Sequence, residues 1–298
     1  MNAAIARPDD IAVQDPNSFA FAFVQELAKE LSRGKVDLPS IPDVAMRIRV
    51  VLADENATID RVVRVTGSEP VLAATVLRMA NSVAFNVSGR PVSDLRAAIN
   101  RIGYNVVRTA AISFALAQLR RSAELKPIRN ELDGLWEQGT HVAAIAFVLA
   151  KRCTPRNPDE AMFTGLLHNI GKLYILTRMI KHRELFADAE TQQVILRDWH
   201  AQIGAAILEN WQMPDEVCEA VRDHEDVTRT HRGAADLTDI VSAAVVLSDL
   251  GPAPLHTRAD LQQLRPFRSL GLDFETSRLV MTEMQDEVTA LRQALATS

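Results

Sequence analysis

The chain is short of the residues that announce a specialised class. Its 298 residues include only two cysteines, Cys153 and Cys218, and these form no CxxC pair. No disulfide framework or cysteine-rich metal site can be built from them, a reducing compartment is expected, and both thiols read as small buried hydrophobes. Aromatic residues make up 5% of the chain while Ala, Leu, Val and Arg dominate, a balance that favours helix over sheet. There is no excess of positive charge: the formal net charge is −5, which argues against bulk electrostatic binding to nucleic acid. Long apolar runs are also missing. The stretch from Val142 to Ala150 is too short to span a bilayer, and the segment from Met1 to Pro16 carries acids and no apolar core, unlike a signal peptide. A cytoplasmic protein without a membrane partner is the expectation. What is present, 47% hydrophobic and 24% charged residues, is the balance of a soluble globular protein with ample core for one large domain or two ordinary ones. No fixed-period repeat or low-complexity run interrupts it.

Helical spacing accounts for nearly all of the apolar pattern. Phe19, Phe23, Leu27 and Leu31 recur on one face, and Gly34 ends that helix. Pro39 and Pro42 forbid helix until Asp43, after which Val44, Ile48 and Val51 begin a new face. Thr58 reads as the N-cap of a helix from Ile59, and Pro70 suits the first turn of one running towards Asn81. Asn81 and Ser82 cap that helix end and shape the loop to Gly89. Ser93 reads as the N-cap of a helix that Gly103 interrupts before a longer run through Leu119. Beyond Pro127, helices are expected over about 132–152, 158–169, 199–211, 214–224, 237–250 and 276–296, with Trp199 and Trp211 in the core. No segment alternates at period two for long enough to be a strand. The pattern predicts an all-α protein: a flexible tail over 1–16, an N-terminal lobe over 17–126 and a second lobe with C-terminal helices over 127–298.

The most informative segment is Leu166-Leu167-His168-Asn169-Ile170-Gly171-Lys172. A helix ends in an adjacent His-Asn pair, with Gly171 read as the turn that this end requires. Many metal-dependent phosphohydrolases place His-Asp here, with the carboxylate binding or bridging metal ions. Asn169 keeps the shape and hydrogen bonds of that acid but supplies no charge to hold a divalent cation. Lys172 and His182 read as solvated.

The chain resembles the HDOD family, the HD-related output domain proteins of bacteria, over about residues 35–230. Leu38-Pro39-Ser40-Ile41-Pro42 resembles the family's opening LPxLP segment, and Glu69-Pro70 through Asn81-Ser82 its "dPxLxxxlLrlaNS" helix. Ala97-Ala98-Ile99 with Ile102-Gly103 resembles the "AIxxLG" step. Gly165 to Gly171 matches "GLLHdIG" apart from Asn169. His200-Ala201-Gln202-Ile203-Gly204-Ala205 with Trp211 and Pro214 is similar to "HaxiGaxLLxxWxlP", and Ala220 to His224 closes the match. The chain departs where HDOD proteins often carry two histidines and it has His224-Glu225. The resemblance implies a two-lobed helical fold, a second lobe like an HD-hydrolase bundle but degenerate, and a part in signal transduction.

By matching position, the counterparts of HD metal ligands are His141, His168, Asn169, His200, His224 and Asp249. Periodicity groups four of them independently, since His141, His200, His224 and Asp249 each fall on an apolar stripe of a helix. Polar groups aimed into apolar stripes need partners, so a shared polar centre is expected, formed with Asn169, His200 and His224. It is either a hydrogen-bonded remnant that fixes helix packing, with no cofactor, or a vestigial site holding zinc, iron or manganese on His141, His168 and Asp249. A two-metal hydrolytic centre needs an anionic bridge, which Asn169 cannot be. Catalytic residues are therefore not expected. The preferred reading is a non-catalytic regulatory module acting on signalling proteins yet to be identified. Its rivals are a metal-dependent phosphohydrolase or phosphodiesterase acting on a nucleotide, and a small-ligand sensor using the polar centre as a pocket. The Gly-Tyr-Pro tripeptide of the HD-GYP phosphodiesterases is absent: Gly103-Tyr104 is followed by Asn105. Arg96, Arg101, Arg108, Arg120, Arg121, Lys126 and Arg129, with Glu124 as the only acid among them, form either a basic face for an acidic partner or nucleotide, or a solvated face of snorkelling side chains.

Overall fold

Helix follows helix with short connections. The computed structural model describes residues 16–34, 43–52, 54, 56–182, 188–250, 261–273, 276–277 and 285–295, and no strand occurs among them. The expected tail and the Leu38–Pro42 segment lie outside the described residues. The first half contains α1 (Pro16–Ser32), α2 (Asp43–Leu52), α3 (Ile59–Gly67), α4 (Pro70–Asn81) and α5 (Leu95–Arg120). A 3₁₀ turn, Ala123–Ile128, holds Pro127 and buries Leu125 and Ile128. The second half contains α6 (Arg129–Cys153), α7 (Pro158–Leu167), α8 (Ile170–Met179), α9 (Ala189–Asn210), α10 (Asp215–Asp223), α11 (Leu237–Leu250), α12 (Arg265–Ser269) and α13 (Gln285–Leu295).

Local chemistry sets most of these boundaries. Thr58 caps α3 by accepting from Arg61 N, and Pro70 opens α4 behind a Glu69 cap. Asn81 pins the loop after α4 with two 2.8 Å bonds to the backbone of Val92. The cap of α5 is Asp94 rather than Ser93: its carboxylate accepts from Ala97 N at 2.8 Å, the shorter and charged partner winning over the neighbouring hydroxyl. Gly103, at φ 76 and ψ 170, breaks the helical geometry inside α5 as expected. Two other expectations need correction. Trp199 is 40% exposed, because it lies one position off the buried face that carries His200. The helix expected over 199–211 begins ten residues earlier, at Ala189, capped by Asp188.

One buried cluster runs from Phe23 to Leu295 without a break at Pro127. Helices α6 to α11 form the bundle of the second half, in which α7 lies between α6 and α5. The terminal helices cross over. α1 packs on α9, and Tyr174 of α8 donates to Glu30 at 2.7 Å. α13 packs on α6 and α4, and Ser113 of α5 donates to the carbonyl of Leu295 at 2.6 Å.

Gly171 is not a turn residue. It lies in the first turn of α8, where that helix meets α9 backbone to backbone. A Cβ on Gly171 would overlap the carbonyl oxygen of His200 and lie 2.8 Å from Gly204 N. Helix geometry alone does not require glycine there; the neighbouring helix does. The Gly171→Ala substitution is therefore expected to destabilise by at least about 1–3 kcal/mol, since neither backbone can yield. Gly134→Ala on the exposed side of α6, where a Cβ would meet nothing within 4 Å, should instead stabilise by about 0.5–1 kcal/mol. Urea unfolding of both variants checks the pair. Similar small changes in both would contradict the close α8–α9 contact.

Candidate functional site

Three imidazoles meet where α7, α8, α9 and α10 converge. His168 caps the end of α7, His200 lies within α9 and His224 caps the end of α10. They are 1%, 0% and 1% exposed. The His168 and His224 rings are 5.4 Å apart at 81°, and the His200 and His224 rings 5.3 Å apart at 75°. Each Nδ1 is bonded to a backbone carbonyl of its own helix: His168 to Gly165 at 2.7 Å, His200 to Leu196 at 2.7 Å and His224 to Val221 at 2.8 Å. A carbonyl only accepts, so each Nδ1 carries the proton. Every neutral ring then presents an Nε2 lone pair.

Those lone pairs face groups of like kind. The Nε2 atoms of His200 and His224 lie 3.5 Å apart, and Glu225 Oε1 lies 3.3 Å from His200 Nε2. His168 Nε2 is buried without a partner among the described residues. Acceptors facing acceptors are stable only with something positive among them, either one additional proton or a cation. Burial, then the neighbouring rings and the Lys172 charge, depresses His168 well below the ordinary histidine value. The same causes, burial foremost and His200 next, push His224 down to about 4. Glu225 is held below the usual carboxylate range, chiefly by the hydrogen bond it accepts from His200 when Nε2 carries the additional proton. Lys172 is half-buried, and its pKa is lowered by desolvation that Glu225 and Asp249 partly offset.

The remaining expected residues point elsewhere. His141 bonds through Nδ1 to Ser248 Oγ at 3.1 Å. Asn169 Nδ2 donates to Gln138 Oε1 at 2.7 Å, and Gln138 Nε2 donates to Asp249 Oδ1 at 2.9 Å. This relay occupies Asp249, which is exposed, and leaves Asn169 Oδ1 buried and unbonded among the described residues. The trio His141, His168 and Asp249 is thus not gathered around one point. His200, His224 and Glu225 are, with ligand atoms all within 4.8 Å of one another. Sequence reasoning missed three participants. Glu225 had a signal in its place beside His224, Lys172 in its place four residues after His168, and Gln138 in its place three residues before His141.

The residues fit a single divalent cation and not a two-metal centre. Metal-binding histidines characteristically donate their other ring N–H to a carbonyl or carboxylate, as all three do here, and Glu225 would add an anionic oxygen. Among the described residues, the position that would bridge two cations is held by Asn169, a neutral amide bonded to Gln138. The cavity that reaches Asn169 measures about 30 Å³ and is walled by Leu116, Trp136 and Leu166, so it admits a water-sized group and no organic ligand. A second gathering, His231, Asp236 and Asp239, is a helix cap reinforced by charge. Asp236 and Asp239 accept from each other's backbone N at the start of α11, His231 reaches Asp239 at 2.7 Å, and Arg229 pairs with Asp236 at 2.8 Å.

The HDOD domain family model matches residues 38–227 of this sequence. The chain belongs to the HDOD family. Among solved structures, a protein of Shewanella amazonensis SB2B provisionally described as a metal-dependent phosphohydrolase is 25% identical, with a TM-score of 0.73 over 94% of this chain and 100% of that one. An HDOD domain protein of unknown function from Geobacter sulfurreducens is also 25% identical, with a TM-score of 0.64 over 94% and 98%. An uncharacterised protein of Treponema pallidum (strain Nichols) is 24% identical over 216 residues, 68% of this chain and 40% of the relative, so the chain spans about two fifths of that protein's length. Among the described residues, no helix is long and apolar enough to cross a membrane.

The depressed histidines make stability depend on pH. His168 and His224 are neutral when folded, whereas in the unfolded chain they titrate near 6.5. The unfolded state therefore binds more protons below that value. Their contribution is complete above about pH 7 and is lost as the pH falls from 6.5 towards 4, with a slope of at most about 1.4 kcal/mol per pH unit for each ring. Urea unfolding between pH 7.5 and 5 should show this loss, and His224→Gln should flatten it. An equally steep profile in the variant would show that His224 is not held neutral.

Proposed function

We propose that this HDOD protein is a non-catalytic regulatory module that acts through contacts with signalling proteins. The observation that carries this reading is the relay from Asn169 through Gln138 to Asp249. The position that needs a bridging anion holds an amide, and the one acid among the matched positions is engaged by an amide donor. Exposed apolar side chains support protein contact: Val83 and Val87, 72% and 92% exposed, stand on the loop that Asn81 pins.

A second reading keeps a metal without catalysis. The facing Nε2 atoms of His200 and His224, with Glu225, favour one structural cation such as zinc over iron or manganese, because neutral imidazoles with one carboxylate suit its four-coordinate preference. The likeness to the Shewanella protein makes metal-dependent phosphoester hydrolysis the reading to be tested against both. The neutral relay argues against it, since hydrolysis by two metals needs the missing charge.

Purified protein should not hydrolyse bis-p-nitrophenyl phosphate, nucleoside monophosphates or cyclic dinucleotides at a rate that depends on added manganese, iron or zinc. Metal content is measured in parallel for the parent, His200→Ala and Asn169→Asp. Bound zinc in the parent that is lost in His200→Ala supports the structural cation, and metal gained only in Asn169→Asp supports a site disarmed by its amide. Metal-dependent turnover by the parent, abolished by His168→Ala, would overturn the regulatory reading in favour of a hydrolase.

A further inference from the structure

Three of the basic residues between 96 and 129 are engaged within the protein. Arg96 pairs with Asp60, Arg101 donates to the carbonyls of Ala80 and Arg90, and Arg120 pairs with Asp133 at 3.1 Å. Arg108 is different. Its guanidinium lies 4.1 Å from the centre of the Phe163 ring, its Nε is buried, and no hydrogen bond or ion pair holds it among the described residues. Burial pushes its pKa down, and the charge of Glu160 offsets this only through space. Arg108 is half-buried, and a guanidinium partly withdrawn from water with no anionic partner is open to one from outside.

Arg108 lines a cavity of about 550 Å³, within the range of small-molecule sites. Apolar walls come from α2, through Val50 and Leu52, and from the α9–α10 turn, through Trp211 and Met213. Asp54 also borders the cavity, but its carboxylate is already engaged by Arg61 at 2.5 Å and Asn56 N at 3.0 Å. The turn carries an independent signal. Gln212 has φ 55 and is the one non-glycine residue at positive φ among the described residues. It occupies the left-handed position of a helix-end motif, with Gln212 N bonded to Glu209 O and Met213 N to Leu208 O, where glycine would be unstrained. An amide held in a costly conformation at the wall of a cavity that contains an unpaired cation points to recognition.

We propose that this cavity binds a small organic anion with a flat apolar body and one phosphate or carboxylate group. Arg108 receives the anionic group through the in-plane fork that its stacking on Phe163 leaves open, the walls from α2 and the α9–α10 turn receive the flat body, and the Gln212 amide meets a polar edge. The site lies between α2 and α5 of the first half and the turn of the second, so an occupant would tie the halves together. This assignment does not depend on the chemistry of the histidine centre.

The test is calorimetric titration with AMP as the phosphate probe, phenylacetate as the carboxylate probe and adenosine as the uncharged control, with melting curves for each protein. The parent should bind AMP or phenylacetate saturably, the stronger of the two naming the anionic group, and adenosine at least about tenfold more weakly. Arg108→Met should lose about tenfold or more in affinity while melting at the same temperature as the parent or higher, because a partly desolvated charge that no hydrogen bond or ion pair holds has been removed. Gln212→Gly should melt higher and bind more weakly. The proposal is overturned if neither anion binds, if Arg108→Met binds as the parent does, or if Arg108→Met melts markedly lower, which would make Arg108 a structural cation.

Discussion

Helices α8 and α9 touch backbone to backbone, where Gly171 leaves no room for a side chain and Gly204 leaves little. A Cβ on Gly171 would collide with the backbone of His200, and one on Gly204 would lie 3.0 Å from Val221 and 3.4 Å from Gly171 N. The rest of the second half is organised around this contact. His168 stands three residues before Gly171, His200 lies at the contact itself, and Val221 accepts the Nδ1 proton of His224. Bringing the two backbones together sets three imidazoles on three helices within ring-contact distance. Gly165 plays a similar part between α7 and α6, since a Cβ there would lie 3.0 Å from the Cα of Ala143. Small residues at the closest approaches fix the helix positions, and the helix positions fix the rings.

The charge arrangement follows from that geometry. Each ring spends its Nδ1 proton on the nearest carbonyl of its own helix, which leaves the Nε2 lone pairs of His200 and His224 facing each other and the Glu225 carboxylate, and that of His168 buried without a partner among the described residues. One proton or one cation relieves the first group. Lys172 contributes positive charge at the edge of the centre, drawn by Glu225 and Asp249. A hydrolase would place its anionic bridge at Asn169 and hold Asp249 free for metal. Here one glutamine, Gln138, spans the two side chains and turns them into a hydrogen-bonded strut between α6, the start of α8 and the end of α11.

Much of this was legible in the sequence, and the failures have physical causes. Helical periodicity identified the fold class, and Thr58, Pro70 and Gly103 act as their chemistry suggests. The burial of His200 and His224 follows from their places on apolar stripes, whereas His168 is marked by the His-Asn pair at its helix end. His141 and Asp249 lie on such stripes too, but at their margins, where Ser248 and Gln138 engage them; periodicity gives a face and not a partner. α8 escaped notice because only His168 and Asn169 separate it from α7, so the Gly171 signal resembled a helix end when it marked a helix crossing. Arg108 looked like its basic neighbours because pairing across 36 residues, as between Arg96 and Asp60, is invisible along the chain.

Three buried imidazoles share one tautomer, protonated at Nδ1 by bonds to carbonyls of their own helices, with the Nε2 atoms of His200 and His224 turned towards each other. Nitrogen-15 NMR of histidine-labelled protein, with long-range ring couplings recorded near neutral pH and assigned through His168→Gln, His200→Gln and His224→Gln, reads this directly. His168 and His224 should appear as neutral Nδ1–H tautomers, and His200 should carry its proton on Nδ1 whether or not its Nε2 is also occupied. The ordinary Nε2–H tautomer at His168 or His224, or rapid tautomer averaging in these rings, would contradict it.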